Sequence, residues 1–232
     1  MADVHLGLRM GDPDERERRF VAFLKGIPRD SRAVYLLGDI WDFWFEYKDV
    51  IPRLGGRVLA ELIALVDAGV EVCFFPGNHD MWCFSHFESL GMKKLEQPSY
   101  VTIDGARFCL GHGDGLGRLT FGYRLMLRIF RSRVCQRLFA ALHPRIAFGI
   151  GHGWSASNRE EHSRYRFRGP GEPLYQYAAE HVAEADYFIF GHFHDIVDTE
   201  LPGGARLLIL GDWMRGGTPH AYFDGKTLSN RA

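Results

Sequence analysis

Five short clusters of Asp, His and Asn residues stand out in this 232-residue chain. They are Asp3-Val4-His5, Gly38-Asp39-Ile40-Trp41-Asp42, Gly77-Asn78-His79-Asp80, Gly111-His112-Gly113-Asp114 and Gly191-His192-Phe193-His194. Carboxylate, amide and imidazole donors mixed in this way suit Mn, Fe or Zn better than an all-oxygen Ca or Mg cage. A lone Gly-Asp or Gly-His pair is ordinarily a turn. Five clusters in one chain, four of them after an apolar run, predict one shared metal centre. Bound metal lowers the pKa of a water and stabilises developing negative charge, so the chemistry that fits is metal-assisted hydrolysis. The ions neutralise charge as it builds, and few other catalytic groups are then needed.

Apolar patterning gives the elements that must carry these clusters. Residues 33–37 and 70–75 read as buried strands. Residues 100–103 and 107–110 flank Asp104-Gly105 and predict a hairpin. Strands are also predicted at 187–190, 196–201, 206–210 and 220–223. Four of these runs lead into a cluster, which puts the polar residues in loops beyond strand C-terminal ends, where α/β sheets build their sites. Asp12-Pro13 predicts a helix start, with Phe20, Phe23 and Leu24 as the apolar face. Leu59, Leu62, Ile63 and Val66 predict a helix over 57–68 closed by Gly69, and a further helix is predicted at 174–183. Helices alternating with strands predict the α/β class.

The net charge of −1 hides an asymmetry. Residues 116–170 hold eleven Arg, no Lys and only Glu160 and Glu161, a balance of +9 that leaves −10 for the rest. Such a stretch predicts an anionic partner: nucleic acid, a membrane surface or a phosphorylated substrate. It is also apolar at helical spacing, through Leu119, Tyr123, Leu127 and Phe130, then Val134, Leu138, Ala141 and Leu142. This predicts a basic amphipathic helical insertion. Cys73, Cys83, Cys109 and Cys135 form no C-x-x-C pair and are expected to be buried free thiols in a reducing compartment. No apolar run approaches the ~20 residues of a membrane span, and no signal peptide is recognisable. A cytoplasmic protein that touches a membrane surface is expected.

Across residues 3–194 the five clusters, in this order, resemble the calcineurin-like metallophosphoesterase superfamily. The resemblance implies a four-layer α/β sandwich of two mixed β-sheets flanked by helices. The core would be 1–115 and 171–232, with 116–170 as an inserted helical cap. Matched cluster by cluster, Asp3, His5 and His194 resemble ligands of a first divalent ion. Asn78, His112 and His192 resemble ligands of a second, and Asp39 the carboxylate between them. His79 resembles a non-ligand histidine that protonates the leaving oxygen or stabilises charge, oriented by Asp80 or Asp42. Members of this superfamily carry a full apolar strand before the first cluster. Here only Met1 and Ala2 precede Asp3, which puts the first ion's site at risk.

Three longer stretches narrow the resemblance: 37–48 (LGDIWDFWFEYK), 114–123 (DGLGRLTFGY) and 210–213 (LGDW). They are similar to the UDP-2,3-diacylglucosamine pyrophosphohydrolases of lipid A biosynthesis, in a subgroup with His at position 79 where better-studied members carry Arg. This implies a cap that holds acyl chains, with Arg on the diphosphate and Leu127 among the apolar contacts. Asn78, Tyr123, Ser155, Ser157, Asn158 and Arg159 are the expected substrate-binding residues. Mn is the expected metal, with Fe or Zn as alternatives. The expected partners are a UDP-linked diacylated glucosamine and a membrane surface, with no nucleic acid. The rival readings are a nuclease using the +9 segment, a small-molecule phosphodiesterase and a silent binding scaffold. A nuclease would not need so much aliphatic surface, and a scaffold would not keep every ligand. Trp41, Phe43, Trp44 and Phe45 are expected in the core.

Overall fold

The protein is seen in a computed structural model that describes residues 1–163 and 166–231, the side chains of 156–163 excepted. Strands β1 (Ala33–Leu36), β2 (Glu71–Phe74) and β3 (Lys93–Lys94) form a parallel sheet in that order. Strands β4 (Ser99–Ile103), β5 (Ala106–Leu110), β6 (Tyr187–Phe190), β7 (Val197–Glu200) and β8 (Arg206–Ile209) form a mixed sheet ordered β4-β5-β6-β8-β7. It is parallel at its centre and antiparallel at both edges. A hairpin of β9 (His220–Phe223) and β10 (Leu228–Arg231) follows.

Alternation along the strands builds four layers, because successive side chains point to opposite faces. Val34, Leu36, Val72 and Phe74 pack with Phe20 and Leu24 of α1 (Pro13–Lys25) and Val58, Leu62 and Leu65 of α2 (Gly56–Asp67). Leu37 and Phe75 instead join Phe108, Leu110, Ile189 and Leu208 between the sheets. Cys109, Phe188, Phe190, Leu207 and Ile209 face Leu174 and Ala178 of α7 (Pro173–Glu180). Strands buried on both faces read as unbroken apolar runs, which is why the sequence displayed them so clearly. Each fully buried Leu or Phe here contributes about 1.5–3 kcal/mol.

Helix ends follow the expected chemistry. The Asp12 carboxylate accepts from the Glu15 amide at 3.0 Å and Pro13 opens α1. Helix α2 closes with Gly69 at φ +87°, its amide donating to the Val66 carbonyl while the Val70 amide donates to Leu65. Helix α3 (His86–Ser89), β3 and β10 carried no usable signal, being too short or too polar for a periodic pattern.

Residues 121–163 form three helices: α4 (Phe121–Arg131), α5 (Arg133–Ala140) and α6 (Pro144–Ser163). The expected role of Leu127 is corrected here. It is only 6 % exposed and sits against Gly115, inside the molecule. The outward stripe of α4 is Phe121, Leu125 and Ile129, one every four residues. Val134 and Leu138 on α5, and Ile146, Ile150 and Trp154 on α6, are exposed as well. Arg124, Arg128, Arg131, Arg133, Arg137 and Arg145 are exposed among them. No described helix is long and apolar enough to cross a membrane. Cys73, Cys83 and Cys109 are buried as expected, whereas Cys135 on α5 is only half-buried. Trp41, Phe43, Trp44 and Phe45 are all buried, as expected.

Candidate metal centre

The second to fifth clusters lie just beyond the C-terminal ends of β1, β2, β5 and β6. The first is held without a full strand of its own. Residues 1–6 run beside the chain leaving β1: Leu37 N–H donates to Met1, Asp3 N–H to Gly38, His5 N–H to Asp39 and Leu6 N–H to Ile40. Ala2 is buried between the sheets, and the Trp213 amide donates to the Asp3 carbonyl at 3.1 Å. The segment feared too short is therefore pinned from both sides, and Asp3 and His5 reach the centre.

The backbone is strained where the donors sit. Asp3, His5, Asp39, His192 and His194 all have φ between +50° and +73°. Side-chain-bearing residues rarely adopt this left-handed region, and such strain concentrates at functional sites. Among the described residues, only Asp104 joins these five as a non-glycine with positive φ. Two glycines make the convergence possible. A Cβ at Gly77 would run into the Asp39 carboxylate, and one at Gly191 into that of Asp3.

Six side chains gather in two lobes about Asp39. In the first, His194 Nε2 lies 3.1 Å from His5 Nε2 and 3.3 Å from Asp3 Oδ1, with His5 Nε2 3.8 Å from that oxygen. In the second, His112 Nε2 lies 3.2 Å from Asn78 Oδ1, and the His112 and His192 rings are 5.2 Å apart. Asp39 Oδ2 stands 3.2 Å from His112 Nε2 and 4.0 Å from His5 Nε2, between the lobes. The donors of Asp3, His5 and His194, and of Asp3, Asp39 and His112, are each close enough to share one ion. His79 belongs to a third such trio, with His5 and Asp39.

Neighbouring groups set the ring orientations. His112 Nδ1 lies 2.8 Å from the Leu37 carbonyl, and His79 Nδ1 lies 2.9 Å from the Asp42 carbonyl. A carbonyl can only accept, so both Nδ1 atoms carry hydrogen and the Nε2 atoms face the centre. The support expected for His79 from Asp80 or Asp42 comes from Asp42. The Asp80 carboxylate is buried and accepts from the backbone amides of Gly77, Asp39, Ile40 and Trp41 instead. Asp80 thus ties the second cluster to the third and holds together two loops that carry candidate donors.

The electrostatics are those of a cation site. Burial alone would lower His112, yet the Asp39 charge raises it well above the ordinary imidazole value. Burial likewise opposes the charge on His5, but Asp3, Asp42 and Asp39 hold it at about 10. The surrounding carboxylates thus favour positive charge on both rings. Burial lowers His79, against the pull of Asp39. The buried Asp3 Oδ1 has no hydrogen-bond partner, although two imidazole nitrogens lie within 4 Å of it. A buried carboxylate is costly unless a positive charge offsets it, and a divalent cation among these donors would do so. The residues present therefore fit a metal.

The expected substrate-binding residues separate. Asn78 is at the centre. Tyr123 is half-buried on α4, its phenol pushed up by burial with Asp114 and Asp39 nearby. Ser155 lines the cleft but is buried, its hydroxyl donating to Asp42 Oδ1 at 2.8 Å. Ser157, Asn158 and Arg159 lie outside the described residues. Three contributors carried no sequence signal. Leu8 and Met214 line the cleft. Gln97 accepts from the Gly113 amide at 2.7 Å and donates to Asp114, fixing the His112 loop from a distant loop.

Residues 1–195 match the family model for calcineurin-like phosphoesterases. The UDP-2,3-diacylglucosamine hydrolase of Porphyromonas gingivalis is 38% identical, over 98% of this chain and 94% of that protein. The proteins of the same name from Aeromonas hydrophila and Pseudomonas savastanoi are 31% and 29% identical. Each alignment covers 94% of this chain, with 91% and 88% of the relatives covered in turn.

Proposed function

The chain belongs to the calcineurin-like phosphoesterase family of metal-dependent hydrolases, and on that premise we propose that it cleaves UDP-2,3-diacylglucosamine in lipid A biosynthesis. The products would be UMP and 2,3-diacylglucosamine 1-phosphate. The names of the relatives support the substrate. The observation that carries the proposal is the exposed apolar stripe of Phe121, Leu125 and Ile129 set among arginines, on helices that reach the metal cleft through Ser155. A diacylated sugar diphosphate needs both apolar area for its chains and positive charge for its diphosphate.

In this reading Asp3, His5, His194 and Asp39 would hold one ion, and Asn78, His112, His192 and Asp39 the other. Mn is the proposed metal, with Fe or Zn as alternatives, because the donors mix imidazole with oxygen. Bound there, the pair supplies a lowered water pKa and positive charge against the phosphate oxygens. His79, with Nδ1–H committed to the Asp42 carbonyl, presents Nε2 to the reacting group. In its protonated form it can give that proton to the leaving oxygen. Residues 116–170 act as a cap: Tyr123 borders the headgroup, and the outer apolar–arginine face takes the acyl chains where they leave the cytoplasmic side of the inner membrane. Nucleic acid is the less favoured substrate, since the aliphatic Leu125 and Ile129 beside Phe121 neither pair with phosphate nor stack on bases.

The test is a substrate panel with Mn²⁺: a diacylated UDP-glucosamine, a nucleic acid and a small aryl phosphodiester. The proposal expects kcat/KM to be highest for the first by orders of magnitude. Preference for the nucleic acid would overturn it.

A further inference from the structure

Helix α6 touches the metal centre through a residue that binds no metal. Ala147, Gly151 and Ser155 are buried at four-residue spacing and form the inner face of α6. A Cβ at Gly151 would run into the Phe43 ring, so the helix lies directly on that ring. This close approach sets Ser155 over Asp42, the residue before Phe43. The Ser155 hydroxyl donates to Asp42 Oδ1 at 2.8 Å, and His152 Nδ1 lies 3.8 Å from Oδ2. Asp42 faces the other way too: Oδ1 lies 3.5 Å from His5 Nδ1, and its carbonyl holds His79 Nδ1 at 2.9 Å. Asp42 is buried, so these interactions are little screened.

We infer that Ser155 and Asp42 are a positioning pair through which the seating of α6 sets the orientation of His5, by way of the Asp42 carboxylate, and of His79, by way of the backbone that the anchored carboxylate steadies. Ser155 then acts on the reaction through Asp42, without touching substrate. The inference rests on the metal-dependent hydrolase reading but is independent of the lipid substrate.

The experiment uses the full chain, Mn²⁺ titration by calorimetry and turnover of a small aryl phosphodiester that does not reach the cap. Removing a partner of a metal ligand weakens metal binding or activity by ~10–100-fold. Asp42→Ala should fall in that range, and Asp42→Asn serves if the alanine variant does not fold. Ser155→Ala should lower Mn²⁺ affinity or aryl phosphodiester kcat by roughly tenfold, at the low end of that range, with KM little changed. The double variant should be no worse than Asp42→Ala alone, because both act through one contact. Gly151→Ala, which lifts α6 from Phe43, should reproduce Ser155→Ala. The inference is overturned if Ser155→Ala leaves Mn²⁺ affinity and aryl phosphodiester turnover untouched and raises KM for the diacylated substrate alone. Ser155 would then be a substrate contact. Wild-type protein that bound no Mn²⁺ would bring down the metallohydrolase reading itself, a different result from a wild type that binds metal and a Ser155→Ala variant that matches it.

Discussion

The carbonyl of Asp42 accepts a hydrogen bond from His79 Nδ1 at 2.9 Å, turning the far nitrogen of that ring to within 4.0 Å of Asp39 Oδ2. His79 is thus aimed at the centre by backbone. His79→Ala should lower turnover by roughly 10²–10⁴-fold, the range for a positioned proton donor, with metal content unchanged. Metal analysis beside steady-state kinetics checks this. Loss of metal would make His79 a ligand, as its trio with His5 and Asp39 would permit.

Asp39 stands between both donor lobes, so Asp39→Asn should abolish activity and lower the metal content of protein purified without chelator. Retention of full activity would remove Asp39 from the centre. Gly77→Ala tests the same geometry from the side. Its methyl would displace the Asp39 carboxylate, so metal binding should be impaired while the circular dichroism spectrum stays native.

Protons and metal compete for the same nitrogens. In chelated protein the His5 pKa is raised to about 10 by its carboxylate neighbours, from an ordinary value of about 6.5. A raised pKa contributes stability that is fully present below about pH 6.5 and is lost as pH climbs through about 10. The melting temperature of chelated protein should therefore fall between pH 6.5 and 10. Metal requires the neutral ring, so apparent metal affinity should run the other way, rising with pH. A chelated protein whose stability rose across that window would contradict this account of the site's charge.

The acyl-chain reading is tested on the outward face of α4. Each buried CH₂ contributes ~0.8 kcal/mol, so shortening the chains by four carbons in total should cost about 3 kcal/mol, more than a hundredfold in affinity. Leu125→Asp and Ile129→Asp should reduce turnover of the diacylated substrate and spare the small aryl phosphodiester. Leu127→Asp should destabilise the fold, because that side chain is buried against Gly115. Independence from chain length combined with steep salt dependence would favour a phosphate-tracking surface.

The candidate donors were legible from the sequence. Asp3, His5, Asp39, Asn78, His112, His192 and His194 stood in short clusters, most at the ends of apolar runs, and those runs became β1, β2, β5 and β6. Such features are local: a strand buried on both faces is an apolar run, and a sharp turn into a loop needs glycine. The tertiary structure decided what depends on contact between distant segments. It seated residues 1–6 beside the end of β1 through hydrogen bonds to Met1, Gly38, Asp39 and Ile40, for which two residues before Asp3 gave no sign. Asp80 was directed to four backbone amides, and the His79 ring to the Asp42 carbonyl, because only the assembled loops fix which donor meets which acceptor. The structure also decided which stripe of α4 faces outward. Helical periodicity picked out the apolar stripe through Leu127, but the packing of α4 against Gly115 buries Leu127 and leaves Phe121, Leu125 and Ile129 outside. Spacing fixes which residues share a face, and only the neighbours on either side of a helix determine which face meets the body of the protein.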